Sequence, residues 1–184
     1  MDRRWFEDEL TLAAIDLETL NTLGIDAFTA ILGGIFEHSP WIARAAYAAR
    51  PFVSVTALHA TMVSVVVNSG LERQLALLRA HPELARPGPL TAASLAEQGG
   101  MGLDRLAAAE AEEFDQLNAA YRERFGFPFI IAVRGQRDRA AVLVALSTRI
   151  QHTPEQEMAT ALAEVAKIAR FRLDDLIVAR ANAG

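Results

Sequence analysis

One stretch of this chain, Phe129-Ile130-Ile131-Ala132-Val133, has real strand character, and no second run offers it a partner. A lone strand leaves its backbone donors and acceptors unpaired, so it cannot found a sheet. The run therefore reads as an extended, buried connector, and the remainder has to fold as helices. Val63-Ser64-Val65-Val66-Val67 is also rich in β-branched residues. It lies inside a longer helical pattern that begins near Ser54, with Val55, Leu58, Met62, Val65 and Val66 inward, so helix is the better assignment.

Breakers divide the chain into helical lengths. From Asp26 the residues Ala27, Phe28, Ile31, Leu32 and Ile35 recur at helical spacing, with Asn21 and Asp26 as possible caps. Pro40 stops that helix, and Ser39-Pro40 supplies the cap and first turn of the next, which Pro51 ends. Asn68-Ser69-Gly70 closes the Val-rich helix, and Leu71, Leu75 and Leu78 carry another up to His81. A further helix runs from Thr91 to Gly99-Gly100, and a long one is expected from about Leu103 to Arg124. Gly126-Phe127-Pro128-Phe129 breaks it. Asp138 to about Gln151 is helical again. Thr153-Pro154 opens a last helix toward Arg180, with Leu162, Val165, Ile168, Ala169, Leu173 and Leu176 inward. No repeat or shift in composition marks a boundary. The expectation is an all-α fold, a single compact helical bundle domain of about eight helices over residues 1–184.

An apolar fraction of 52% with 22% charged residues excludes a largely disordered chain. The net charge of -5 argues against a nucleic-acid partner. No apolar run of signal-peptide length follows Arg3-Arg4, and none is long enough to span a bilayer. Without cysteine there is no disulfide framework and no thiolate metal site. A cytoplasmic protein with no membrane partner is expected.

His38, His59, His81 and His152 are far apart, and no pair has the close helical spacing of a zinc motif, so no metal site is expected. Leu32-Gly33-Gly34 and Gly99-Gly100-Met101-Gly102 lack both the P-loop lysine and the dinucleotide spacing. They read as helix ends and close helix contacts. His81 stands where a helix stops, and Pro82 biases it away from helical backbone. Such a histidine is either a cap or an acid/base. Ser94 and Glu97 share a helix face, with Gln98 beside them, as a solvated face or as a polar site. Arg172 lies at the core edge of the last helix beside Ile168, Ala169 and Leu176, while Arg170 projects from another face. An arginine so placed snorkels, pairs with a carboxylate, or grips a substrate carboxylate. Arg134 and Arg149 are candidates of the same kind.

Several segments together resemble one family. Leu32-Gly33-Gly34-Ile35-Phe36-Glu37-His38-Ser39-Pro40-Trp41 looks like its N-terminal signature, and His81-Pro82-Glu83-Leu84-Ala85 like its His-Pro-acidic-Leu motif. Ser94-Leu95-Ala96-Glu97-Gln98 with Gly102-Leu103, then Leu117-Asn118-Ala119-Ala120-Tyr121, then Phe125-Gly126-Phe127-Pro128-Phe129 follow in family order. The ending Glu164 to Leu173 is similar too. On these segments the chain is identified as a member of the OHCU decarboxylase family, which acts on 2-oxo-4-hydroxy-4-carboxy-5-ureidoimidazoline.

The resemblance implies an all-helical, cofactor-free homodimeric enzyme that releases carbon dioxide from OHCU and gives S-allantoin in urate degradation. It also implies roles. His81 corresponds to the catalytic histidine and Pro82 to the pocket wall. Ser94, Glu97 and Gln98 fall on substrate-contacting positions, and Phe129, Ile130, Ile131, Ala132 and Val133 line the pocket, partly through backbone. Arg172 matches the arginine near the C-terminus, with Arg170 two residues away. Glu97 either orients His81 or binds ureido N–H groups, and Gln98 reads ring amides. Trp5, Trp41 and Phe52 are candidates for a dimer interface. A lyase of another cyclic ureide and a non-catalytic helical module are the alternative readings.

Overall fold

The computed structural model describes residues 14–85, 91–103 and 106–178. Nine α-helices occur among them: α1 (Leu17–Thr22), α2 (Ile25–Leu32), α3 (Pro40–Ala46), α4 (Val55–Val67), α5 (Leu71–Arg79), α6 (Ala92–Gly100), α7 (Ala108–Phe125), α8 (Arg139–Arg149) and α9 (Pro154–Leu176). The fold is all-α. Short 3-10 turns at Tyr47–Ala49 and Val133–Gly135 complete it, and no strand is present among the described residues. None of the described helices is long and apolar enough to cross a membrane. Trp5 and Arg180, toward which the last helix was expected to run, lie outside the described residues.

Four of the helix starts expected from the sequence carry side-chain caps, whereas Ser39, expected to cap α3, makes no side-chain cap bond. Ser54, Thr91, Asp138 and Thr153 each accept a hydrogen bond from the third residue on, which satisfies a donor the helix leaves orphaned. Thr153 and Gln156 also close a reciprocal capping box ahead of Pro154. Gly126 ends α7 at φ 77°, a conformation that favours glycine. Gly33 has a different reason. A Cβ there would meet the Thr29 carbonyl oxygen at 2.7 Å and Pro40 Cβ at 3.2 Å, so α3 starts hard against the end of α2.

Several boundaries differ from the sequence reading: α2 ends at Leu32, short of Ile35 and Pro40, and α3 at Ala46, where the 3-10 turn Tyr47–Ala49 replaces its expected run to Pro51. Asn21 is not a cap, because its side chain bonds both the N–H and the carbonyl of Phe52; α2 starts after Gly24, with Asp26 in its first turn. Leu103 belongs to the exit from α6: Gly102 turns at φ 70° and the Leu103 N–H returns to the Gln98 carbonyl. The long helix then begins at Ala108, where Glu110 accepts from the Ala107 N–H. The last helix stops at Leu176 because Ile177 bridges to Ile15, with the Val178 N–H on the Ile15 carbonyl. Phe52, expected at an interface, is buried and stacked on Phe28 at 6.3 Å between ring centres. Trp41 is half-buried, with the Arg73 guanidinium over its ring.

α9 runs through the centre of the packing. α4 and α5 lie against it, α3 joins α2 to α4, and α7 pairs with α8. Its inward stripe runs Glu157, Ala161, Glu164 and Val165, Ile168 and Ala169, Arg172, then Leu173 and Leu176. That spacing of three and four is a helix's buried face, and here it carries three charged residues into the core.

Candidate active site

His81 lies just beyond α5. Helix C-termini leave carbonyls without partners, and His81 fills that need twice: its N–H donates to the Leu78 carbonyl at 3.2 Å, and Nδ1 sits 2.9 Å from the Leu77 carbonyl. A carbonyl only accepts, so Nδ1 carries the hydrogen and Nε2 keeps the lone pair. The side chain is buried. Burial pulls its pKa down to about 4, against the Leu77 carbonyl and the Glu37 charge, which favour the cation. At neutral pH His81 is an uncharged base. The cap reading and the acid/base reading are thus compatible: capping with one nitrogen frees the other.

The corner that follows is pinned from outside. Ala85, at φ 60°, donates its N–H to Gln98 Oε1 at 3.1 Å. Gln98 Nε2 approaches the Glu83 carbonyl at 3.4 Å, and Asn118 donates to the Leu84 carbonyl at 3.0 Å. Arg122 pairs with Glu83. Gln98, expected to read ring amides, uses both ends of its amide on the backbone of the His-Pro corner.

Arg172 comes from α9 and meets two carboxylates. Its Nε and Nη2 grip Glu97 at 2.9 and 3.1 Å, and Nη1 reaches Glu37 at 2.8 Å. Ser94 Oγ donates to Glu37 at 3.1 Å and accepts from Arg172 Nη2 at 3.2 Å. Burial works against the guanidinium charge, but hydrogen bonds and charge from Glu97 and Glu37 outweigh it and hold Arg172 more firmly protonated than usual. Burial likewise raises the Glu37 pKa, and Arg172 more than offsets it, so Glu37 stays below the usual carboxylate range.

His81, Pro82, Ser94, Glu97, Gln98, Phe129, Ile130, Ile131, Val133 and Arg172 line one cavity of about 30 Å³, closed by Leu84 and Ile168. Ala132 is not among its walls. Its N–H donates to Glu164 Oε2 at 2.8 Å, so this connector donor is already taken. The expectation that Glu97 orients His81 is not what the structure shows: the Leu77 carbonyl holds the ring, and Glu97 is bound to Arg172. Arg170 is outside, paired with Asp174 and Thr56. Arg134 pairs with Asp175 at the surface, and Arg149 is buried elsewhere, on Glu157. A larger groove of about 820 Å³ on the other side of Arg172 includes Glu37 and His38 but neither His81, Glu97 nor the connector. Among the described residues no three His, Asp or Glu side chains group so as to hold a metal ion.

Glu37 is the residue that sequence reasoning left without a role. It appeared only beside His38 in the N-terminal signature. A carboxylate between Phe36 and the Ser39-Pro40 helix start, within an apolar segment, was the signal available.

The model of the family described as OHCU decarboxylase matches residues 21–174. The chain is 44% identical over 159 residues to 2-oxo-4-hydroxy-4-carboxy-5-ureidoimidazoline decarboxylase of Haloferax volcanii, covering 86% of this chain and 94% of that protein. It is 42% identical to the uric acid degradation bifunctional protein PucL of Bacillus subtilis over 88% of this chain, and spans 32% of that longer protein. A crystal structure of (S)-allantoin synthase superposes with a TM-score of 0.71 at 37% identity, over 89% of this chain and 54% of that one.

Proposed function

The chain belongs to the OHCU decarboxylase family, and on that premise we propose that it converts OHCU to (S)-allantoin and carbon dioxide as a step of urate degradation. The observation that carries the assignment to this cavity is His81: a buried, neutral imidazole, oriented through Nδ1 by a backbone carbonyl, on the wall shared with Arg172 and Glu97.

In the reaction the bond between the ring carbon and its carboxylate breaks and carbon dioxide leaves. The electron pair passes into the ring, where a ring nitrogen takes a proton from solvent. His81 Nε2 takes the hydroxyl proton, so that the hydroxyl becomes a carbonyl, and returns it to the neighbouring ring carbon. Delivery from one fixed nitrogen gives one face and hence one enantiomer. Arg172 holds the anionic substrate and steadies the developing oxyanion. Pro82 and the connector residues Phe129, Ile130, Ile131 and Val133 shape an apolar wall that excludes water.

The finer readings are that residues 1–184 form one domain, and that the protein is a cytoplasmic homodimer. Val53, Val67 and Leu71 are exposed apolar side chains that a second copy would cover. The site assignment is tested by His81→Ala. The variant is expected to fold and to lose about two to four orders of magnitude in turnover of freshly made OHCU, followed as stereospecific allantoin formation by circular dichroism. Turnover near that of the parent would remove His81 from the mechanism.

A further inference from the structure

Arg172 has five N–H donors, and all five have protein acceptors: Nε on Glu97, Nη1 on Glu37 and on the Gly34 carbonyl at 3.3 Å, Nη2 on Glu97 and Ser94. One positive charge faces two carboxylates. The cavity beside it has room for about one water molecule. A guanidinium so occupied cannot also take a substrate carboxylate, and an anion approaching the trio meets a net charge of minus one. Arg172 is also the only lysine or arginine among the described walls of the cavity.

The two carboxylates are not equivalent. Glu37 has 1% of its side chain exposed and lies behind Arg172, where Ser94 also holds it. Glu97 has 16% exposed and is itself a wall of the His81 cavity. Glu97 grips the forked Nε and Nη2 edge, the geometry that suits a bidentate carboxylate. A substrate carboxylate arriving from the cavity would compete for that edge.

We propose that Glu37 is a positioning residue, the permanent counter-ion of Arg172, and that Glu97 is a displaceable one whose place in the fork the substrate carboxylate takes. The inference rests on the decarboxylase reading. It resolves how a saturated arginine can serve an anionic substrate: Arg172 stays anchored to Glu37 and Ser94 while Glu97 swings out. The freed Glu97 is then available to the ureido N–H groups, so its binding role follows from its displacement.

The test compares the binding of allantoate, a ureide carboxylate, with that of neutral allantoin by isothermal titration calorimetry. The purified parent protein, Glu97→Gln and Glu37→Gln are measured. Glu97→Gln is expected to raise the allantoate-to-allantoin affinity ratio at least five-fold, because it weakens the competitor in the fork. Glu37→Gln leaves the Glu97 fork in place and is expected to leave the ratio unchanged or lower it. No gain in Glu97→Gln overturns the inference. An equal gain in both variants also overturns it, since the cause would then be the removal of any negative charge. Should Glu37→Gln not fold, Asp175→Asn, which removes a nearby charge outside the fork, serves as the charge control under the same criterion. OHCU turnover by the parent protein, measured beside these, separates the two levels. No turnover means that the function is misread; turnover without the ratio change sinks only the exchange.

Discussion

Two buried arginine–carboxylate networks sit on the inward stripe of α9, about four turns apart, and they do different things. At one end Arg149 binds Glu157 through Nε and Nη2, Tyr121 donates to the same oxygen, and His152 Nδ1 lies 2.7 Å from the other. Its Nη1 donates to the Ile130 carbonyl at 2.8 Å, and its guanidinium packs over the Phe129 ring. One arginine faces one carboxylate there. Burial, reinforced by Glu157, pushes the Tyr121 pKa well up and keeps its hydroxyl a donor. At the other end Arg172 faces two carboxylates, borders a cavity and shares a wall with a neutral histidine. Buried ionic groups alone therefore do not mark a site. What sets the candidate site apart is an unbalanced charge next to space and a neutral histidine. The Arg149 network meets the candidate site only through the connector, at the Ile130 carbonyl and the Phe129 ring.

The sharpest test of this contrast is a pair of isosteric changes. Glu157→Gln leaves Arg149 buried without a carboxylate and should cost about 3 kcal/mol of stability in urea titrations, with turnover of the folded protein within a few-fold of the parent. Glu97→Gln should do the reverse, with stability within about 1 kcal/mol and kcat reduced by about ten- to a hundred-fold. If both variants lose mainly stability, the distinction between the two networks collapses.

Acid separates the networks as well. The folded-state pKa of His81 is about 4, below the value of 6.5 expected once unfolded. The unfolded chain therefore binds more protons between those values, and stability falls as pH drops through that window. The contribution is about 3 kcal/mol when complete. Urea titrations from pH 7 to pH 4 should show this slope, and His81→Gln should flatten it. A parent slope unchanged in that variant would place the sensitivity elsewhere. The smallest effect belongs to the surface. Arg170→Ala breaks the exposed pair with Asp174 and should shift stability by no more than about 0.5 kcal/mol, with activity unchanged in the same assay.

Much of this was legible along the chain because it depends on neighbours in sequence. Ser54, Thr91, Asp138 and Thr153-Pro154 announce helix starts through their own side chains. The apolar run Phe129 to Ala132 lies buried and extended, with no partner strand among the described residues, while Val133, expected to continue it, opens a 3-10 turn. Pro82 after His81 correctly marks the corner. The end of α9 was not legible, because a backbone bridge from Ile15 stops it. Nor was the burial of Phe52, which depends on Asn21 and Phe28.

For the site the division is sharper. Sequence by itself determined which residue types are present and in what order: a histidine at a helix end, a hydroxyl, carboxylate and amide on one face of α6, and an arginine on the inward edge of α9. Those follow from local periodicity and capping chemistry. Only the tertiary structure decided what each one touches. Glu37 and Arg172 are 135 residues apart, and Glu97 and Arg172 are 75 apart. No local rule joins them; the packing of α9 against the rest of the bundle brings them together, and burial then makes the contact strong and the balance of charge consequential.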